Sequence, residues 1–575
     1  MSTARSGTCS PFSSRDDLNK KQTSGRDTHF PHVAGTVHQA FRQSATRYAG
    51  SDFLSLLPET AAKYQIEPRT YSYADAATEV AKLEALYRAA DLGHGHRVGL
   101  MLENRPAMFF HWLALNALGV SVVPINSEWR SAELEYLISH SELCVAVVPS
   151  ARLSDAALAA RSAGCEVVVT SPDLSGLARV PRSAPLTARI PDKNTECALL
   201  YTSGTTSRPK GCVLPNEYFL WAGTWYAEAG GLSQLTQGSE RLVTPLPTSH
   251  MNTMAYSTMA MLLTGGCIVP LDRFHPSSWW ESVRAARATI VHYLGVMPAM
   301  LLAAPPDTRD SDHCVRFGFG AGINPRLHAQ FERRFGFPLL EAWAMTETGA
   351  GAVIIANQEP RKVGTACFGR AQPGNEYRVV DEHSQDVVPG RPGELLIRRA
   401  GPEPRFGFFR EYLKDPEATT AAWEGGYFHT GDIVQVDADG DFHFIDRKRN
   451  LIRRSGENIS AVEVESVMLQ HPGVAAVGVS AVPDEVRGDE VIACVVPRVP
   501  VSATYRDAFA RDVLAFCLQR LAYFKAPGYI VLCKELPLTP TEKIQRARLK
   551  ELAQGMLSAR DCIDLRALKK RTSTV

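Results

Sequence analysis

The chain has 575 residues, 45% of them hydrophobic and 21% charged, with 62 basic against 61 acidic side chains and a formal net charge of +1. That length exceeds what one hydrophobic core serves, so at least two domains are expected, and the balanced charge carries no footprint for a nucleic-acid or anionic-membrane partner. The twelve cysteines are scattered with no CxxC pair, which argues for reduced thiols in a cytoplasmic protein and against a disulfide framework or a zinc site.

Residues 1–30 are rich in Ser, Thr, Arg and Asp, lack an apolar h-region, and read as a disordered extension rather than a secretory signal. Helical and strand-like patterns then alternate: a helix at 74–90, a strand at 97–102, an apolar helix at 108–118, a strand at 120–124, a helix at 131–139 and a strand at 144–148. This rhythm predicts α/β architecture with largely parallel strands. A second stretch, 241–340, repeats the style without repeating the sequence. The most apolar window, 254–270, is interrupted by Gly265 and Gly266 and falls short of the roughly 20 residues that span a bilayer, so it reads as core.

After about residue 440 the character changes. A strand at 442–445 leads into the charged run Asp446-Arg447-Lys448-Arg449-Asn450, followed by a helix (461–470), two apolar strands (475–482 and 491–496) and another helix (506–521). The fold class is therefore α/β: a large N-terminal domain (31–448) with mixed and parallel sheets flanked by helices, plus a small mobile α+β C-terminal domain (449–575).

The strongest local signal is YTSGTTSRPKG, Tyr201 to Gly211, entered from the apolar run 197–200. Thr202, Ser203, Thr205, Thr206 and Ser207 offer hydroxyl donors, Gly204 lets backbone N–H groups approach an anion, and Lys210 adds positive charge, as a polyphosphate requires. The string does not match GxxxxGK[ST], which disfavours a Walker-type NTPase.

This string resembles the phosphate loop of the adenylate-forming superfamily, which includes acyl-CoA synthetases, peptide-synthetase adenylation domains and firefly luciferase. Further segments resemble that superfamily in the same order: LPTSHMN (Leu246 to Asn252), FGAGINP (Phe319 to Pro325), EAWAMTETG (Glu341 to Gly349), YFHTGD (Tyr427 to Asp432), DRKRNLIRRSGENIS (Asp446 to Ser460) and LPLTPTEKIQR (Leu536 to Arg546). They extend from about residue 35 to 555.

The resemblance implies an ATP-dependent carboxylate–CoA ligase working through an acyl-adenylate, with Mg²⁺ as cofactor and a small carboxylic acid, ATP and CoA as partners. It implies that His250, Met251 and Asn252 shape the acyl pocket, and that Gly320, Ala321 and Gly322 pack on the adenine. Glu341 falls in the nucleotide set, and Trp343 stands where the family has a Tyr against the base. Thr346 contacts the α-phosphate, Glu347 holds Mg²⁺ through hard oxygen ligands, and Asp432 with Arg447 takes the ribose end. Arg449 occupies the hinge, Gly456, Glu457 and Asn458 approach the pantetheine, and Lys543 is the catalytic lysine. Without the resemblance, Trp343 reads as core and Asp432 as a solvated turn residue.

Lys543 has a physical rationale. Two anions meeting at ~4 Å under an effective dielectric of ~20 repel by about 4 kcal/mol, and an ammonium between them offsets that term in the transition state. Where the family commonly has Gly before this lysine, the chain has Glu542, which would loosen the loop or partly neutralise Lys543.

Two stretches, TSGTTSRPKG and the run from Asp446 to Pro472, resemble the bacterial carnitine/crotonobetaine–CoA ligase branch, which implies a short, polar or charged acid; Trp221 and Trp225 are candidates to pack against a cation. Only 32 residues follow Lys543, too few for a fused carrier domain. The alternatives are a stand-alone adenylating enzyme that loads a separate carrier protein, and a non-catalytic nucleotide-binding relative. No membrane partner is expected, and a homodimer is allowed.

Overall fold

The computed structural model describes residues 34–177, 189–202, 209–381, 383–447, 452–455, 457–459, 461–537, 544 and 546–569. The expected extension at 1–30 lies outside these residues.

Two sheets make up the large domain. One contains the parallel strands Ser121–Pro124, Arg97–Leu100, Val145–Val147 and Val168–Thr170, with Glu196–Thr202 beside Ser121–Pro124 and the antiparallel strand Lys210–Pro215 beyond it. The other is parallel through Cys267–Pro270, Arg241–Thr244, Ile290–Leu294, Phe317–Ala321 and Leu339–Trp343, and antiparallel from Ile354–Ile355 onwards through Cys367–Arg370, Asp441–Arg447, Phe428–Val436, Gly393–Arg399 and Asn375–Val380. The parallel strands carry continuous apolar burial, as Ser121–Pro124 and Cys267–Pro270 do along their whole length, because both faces are covered by helices.

The helices between the sheets follow from sequence. Pro106–Ala117 starts on proline at its first turn and is buried from Met108 to Asn116 on all sides, as a helix packed between two layers must be. Tyr73–Ala89 begins with the capping box of Ser72 and Asp75. These helices share one core with Asn216–Glu228, Met259–Thr264 and strands of both sheets. The apolar window at 254–270 is most of a π-helical turn (Asn252–Thr258), a short helix and the strand Cys267–Pro270, buried except for the half-buried Leu263. Among the described residues no helix is long and apolar enough to cross a membrane.

Strand Asp441–Arg447 still belongs to the large sheet, whereas Ile452–Arg454 opens a separate six-stranded sheet. Its long antiparallel pair, Val474–Asp484 and Gly488–Pro497, is in continuous register from Ala476 on, with a shift between Val474 and Ala476, and sends side chains to both faces of the sheet. Val491, Ala493 and Val495 pack under the helices Ala461–Met468 and Arg506–Leu518. Ile492 and Cys494 face the helix Arg546–Ser558 on the other side.

Candidate active site

Both parallel sheets aim their carboxyl ends at one cleft of about 1100 Å³. Its wall holds Leu100, Pro124 and Thr202 from one sheet, Leu294 and Ala321 from the other, and the segments Pro245 to Asn252 and Ala344 to Glu347 that follow strands of the second. Open α/β sheets bind ligands in this position because loops there are free to vary while the strands fix them.

Thr202 and Lys210 are register partners at the mouth of the hairpin Glu196–Thr202 and Lys210–Pro215. Ser203, Gly204, Thr205, Thr206 and Ser207 lie outside the described residues. Lys210 Nζ is 3.3 Å from Asp415 and 4.7 Å from the centre of the Tyr412 ring. The Tyr412 hydroxyl donates to Glu347 Oε1 at 3.0 Å. Burial first, then the Glu347 charge, pushes the Tyr412 phenol up, so it remains a donor. Sequence reasoning missed both Tyr412 and Asp415, since a lone Tyr and a helix-capping Asp carry no motif of their own.

The segment from Thr346 to Ala350 is held by aromatic donors from two helical elements. Tyr218 donates to the Thr346 carbonyl at 2.9 Å, Tyr256 to that of Gly349 at 3.0 Å, and Trp221 Nε1 to that of Ala350 at 2.8 Å. Thr346 and Glu347 thereby face the cleft from a fixed backbone. Trp221 is committed to this task and its ring also carries Arg399 at 5.1 Å, while Trp225 packs on Tyr256 and Phe319. Neither tryptophan is on the cleft wall.

Glu341 does not present its carboxylate to the cleft. It is buried and accepts from Gly322 N–H at 2.9 Å, Ile323 N–H at 3.2 Å and the Tyr293 hydroxyl at 2.5 Å, so it braces the Gly320-Ala321-Gly322 turn from behind. Burial raises its carboxyl above the usual range. Glycine is required at 320, where a Cβ would stand 2.2 Å from the Tyr293 carbonyl oxygen.

Trp343 is likewise only 6% exposed and donates its indole N–H to Asp432 Oδ2 at 2.9 Å; the structure makes it a prop for Asp432. Asp432 follows Thr430 and Gly431 of the cleft wall and is the register partner of Arg447 across the strand pair. This pairing brings the two ribose-end candidates together through backbone alone.

His250 lies on the cleft wall with Met251 and Asn252. Its Nε2 is 3.6 Å from Glu457 of the small domain, so the hairpin Ile452–Arg454 and Glu457–Ile459 closes this side of the cleft. Asn458 pairs with Arg453 within that hairpin; Gly456, the hinge candidate Arg449 and the catalytic candidate Lys543, with Glu542, lie outside the described residues. Ile544, next to Lys543, packs with Ile492, Cys494 and Leu549 on the face of the small sheet opposite the helices Ala461–Met468 and Arg506–Leu518. Lys525, which no motif flagged, also lines the cleft.

Comparison with known proteins gives a consistent picture. Residues 43–413 match the AMP-binding enzyme family and residues 463–543 match the AMP-binding enzyme C-terminal domain. The chain is 30% identical over 495 residues to crotonobetaine/carnitine–CoA ligase of Shigella sonnei, an alignment covering 84% of this chain and 93% of that protein. In fold it is similar to o-succinylbenzoate CoA synthetase of Bacillus subtilis bound with a product analogue (TM-score 0.75, 23% identity, 89% of this chain and 98% of that one). It is also similar to the amide bond synthetase McbA of Marinactinospora thermotolerans (TM-score 0.74, 22% identity, 90% and 99%).

Proposed function

The chain belongs to the AMP-binding enzyme family and is an ATP-dependent carboxylate–CoA ligase that works through an acyl-adenylate; from that premise we propose which of its residues carry each half-reaction and what kind of acid it takes. In the first half-reaction a carboxylate oxygen attacks the α-phosphorus of ATP, the bond to pyrophosphate breaks and acyl-AMP forms. In the second the sulfur of CoA attacks the acyl carbon, AMP leaves with the bonding electron pair, and the thiol proton is lost to solvent or a base.

In our reading Thr202, Lys210 and the residues between them receive the polyphosphate, and Thr346 meets the α-phosphate. Asp432 and Arg447 take the ribose, and the Gly320 to Gly322 turn packs on the adenine with Glu341 and Trp343 acting from behind. Lys543 offsets the repulsion between carboxylate and α-phosphate. Mg²⁺ fits Glu347, a hard oxygen donor on the cleft wall held by Tyr412; when bound, it would neutralise phosphate charge. For the second half-reaction Gly456, Glu457 and Asn458 guide the pantetheine, with Arg449 as the pivot of a moving small domain. The observation that carries this reading is the convergence of both parallel sheets on one cleft whose open side is closed by Glu457 against His250.

The acid is short and polar, as the name of the Shigella relative supports, with Met251 and Asn252 in its wall. The setting is the cytoplasm, where ATP and CoA are supplied.

The test is incubation with ATP, Mg²⁺, CoA and a mixture of short carboxylic acids, followed by mass spectrometry, with Lys543→Ala alongside. An acyl-CoA that depends on Lys543 is expected. Acyl-adenylate without thioester would move the acceptor to a carrier protein, and the absence of both would overturn the catalytic reading.

A further inference from the structure

Four residues form a polar string behind the acyl side of the cleft. His292, on the strand Ile290–Leu294, is fully buried between Tyr226 and the π-helical turn Asn252–Thr258. Its Nε2 lies 3.1 Å from the Tyr226 hydroxyl. Its Nδ1 lies 2.7 Å from Asn252 Oδ1 and 2.9 Å from Ser257 Oγ. The ring packs 4.9 Å from Phe319, which itself stacks on Tyr226 at 4.8 Å.

One arrangement of protons satisfies this string. Tyr226 is fully buried, and among the described residues its hydroxyl has no partner other than His292. If Nε2 carried the proton, the Tyr226 hydroxyl would have to accept, and its own proton would be stranded in the core. A donor stranded in the core is strongly disfavoured, because it loses its hydrogen bond to water without replacement. The hydroxyl therefore donates to Nε2, and the proton sits on Nδ1, which donates to Asn252 Oδ1. Ser257 shares that proton and donates its own to the backbone carbonyl of Asn252 at 3.3 Å. Burial holds the ring neutral by pushing His292 down to about 3, so the string keeps this polarity across the working range of the enzyme.

The string has one end in the core and the other in the cleft. Asn252 is half-buried and lines the cleft together with Met251, Tyr256, Phe319 and Ala321. With its side-chain carbonyl oxygen turned to His292, its amide nitrogen is the other end of the side chain and has no hydrogen-bond partner among the described residues. The residue sits at the start of a π-helical turn, a local widening often found at functional positions. The neighbours Met251, Tyr256 and Phe319 supply an otherwise apolar lining, in which a fixed N–H donor discriminates strongly.

We propose that Asn252, positioned by His292, is a specificity-determining residue: its amide N–H₂ donates to an acceptor oxygen on the acyl chain, selecting hydroxy, oxo or dicarboxylic acids over hydrocarbon acids of the same length. The proposal rests on the ligase reading above and narrows its acid. A quaternary ammonium group has no lone pair for these protons, so what Asn252 reads is oxygen on the chain. His292 acts only through Asn252 and is a positioning residue.

The experiment measures kcat/KM for adenylation, by pyrophosphate release, with butanoate, 2-hydroxybutanoate, 3-hydroxybutanoate, 3-oxobutanoate and succinate. The wild type is expected to prefer at least one oxygenated acid over butanoate by about tenfold or more. Asn252→Leu brings that ratio close to one. His292→Phe does the same through a higher KM for the oxygenated acid, with kcat largely kept. His292→Gln restores part of the preference, since its amide can both accept from Tyr226 and donate to Asn252. Equal use of butanoate and every oxygenated acid by the wild type, or a preference that survives Asn252→Leu, overturns the proposal while leaving the ligase reading intact. Pyrophosphate release with none of these acids or any other overturns that reading and this proposal with it.

Discussion

Lys525 of the small domain places its ammonium 2.8 Å from Glu133 of the large one, with the two side chains 6% and 9% exposed. The same ammonium is 2.8 Å from Glu463 and lies over the Trp129 ring at 5.5 Å. Burial works against the charge, but the two carboxylates outweigh it and hold Lys525 above the ordinary lysine range. Glu133 Oε2 also accepts from the Arg130 N–H at the head of the helix Ser131–Ser141, so this one cation ties a helix start in the large domain to a helix in the small one.

Lys525→Met removes the cation and leaves two carboxylates facing each other in a buried contact. Breaking a buried charge cluster from one side costs about 3–5 kcal/mol. The expected result in calorimetry is a separate, earlier transition for the small domain. Because the cluster is shielded from solvent, moderate salt should not reproduce the effect. A single unchanged transition would show that other contacts hold the domains together.

Tyr412→Phe deletes the hydrogen bond to Glu347 without changing the ring that Lys210 covers. Hydrogen bonds to charged groups are worth about 1.5–3 kcal/mol, which is roughly a 10- to 100-fold effect. The expected outcome is a higher Mg²⁺ requirement and a lower rate of adenylation, with CoA transfer from supplied acyl-adenylate little changed. A variant with the wild-type response to Mg²⁺ would separate Tyr412 from the role of Glu347.

Trp343→Phe keeps most of the buried ring but removes the donor that Asp432 Oδ2 receives at 2.9 Å. Nucleotide affinity, measured by calorimetric titration with AMP, should fall by about tenfold or more, as expected for a lost hydrogen bond to a carboxylate. Adenosine and AMP should lose affinity equally, since the defect is at the ribose end; a loss confined to AMP would count against this role.

Two buried neutral histidines contribute to the loss of stability in acid. Burial lowers His292 to about 3 and His111 to about 4, the latter between the Tyr87 hydroxyl at 2.6 Å and the Pro172 carbonyl at 2.8 Å. In the unfolded chain each takes up a proton near pH 6.5. Between that value and the folded one the unfolded state binds more protons, so stability is lost as pH falls. From pH 6.5 to 5 each contributes a loss of about 1.5 kcal/mol. Urea midpoints measured across that window should drop, and His292→Gln should flatten part of the slope.

Much of this protein was legible in its sequence. The helices and strands between residues 74 and 148 follow from periodicity and caps, because a helix stripe or a buried strand writes its own environment into neighbouring residues. The cleft residues Lys210, His250, Thr346 and Glu347, and Asp432 just behind the wall, sit in short contiguous strings, each fixed by a strand end or turn, and such strings survive as recognisable words. The antiparallel strands between residues 367 and 447 were less legible, since their half-buried patterns and long connections resemble loops.

What the sequence alone determined is therefore the two-domain α/β plan, the order of the motifs and the reaction they belong to. Only the tertiary structure decided that Glu341 braces a glycine turn, that Trp343 supports Asp432, that Tyr412 holds Glu347, and that Lys525 joins the two domains through Glu133. In each of these pairs the partners reach each other because packed sheets bring together strand ends and loops from separate elements. A side chain's own sequence neighbours fix its backbone and exposure, but not which distant polar group will meet it once water is excluded.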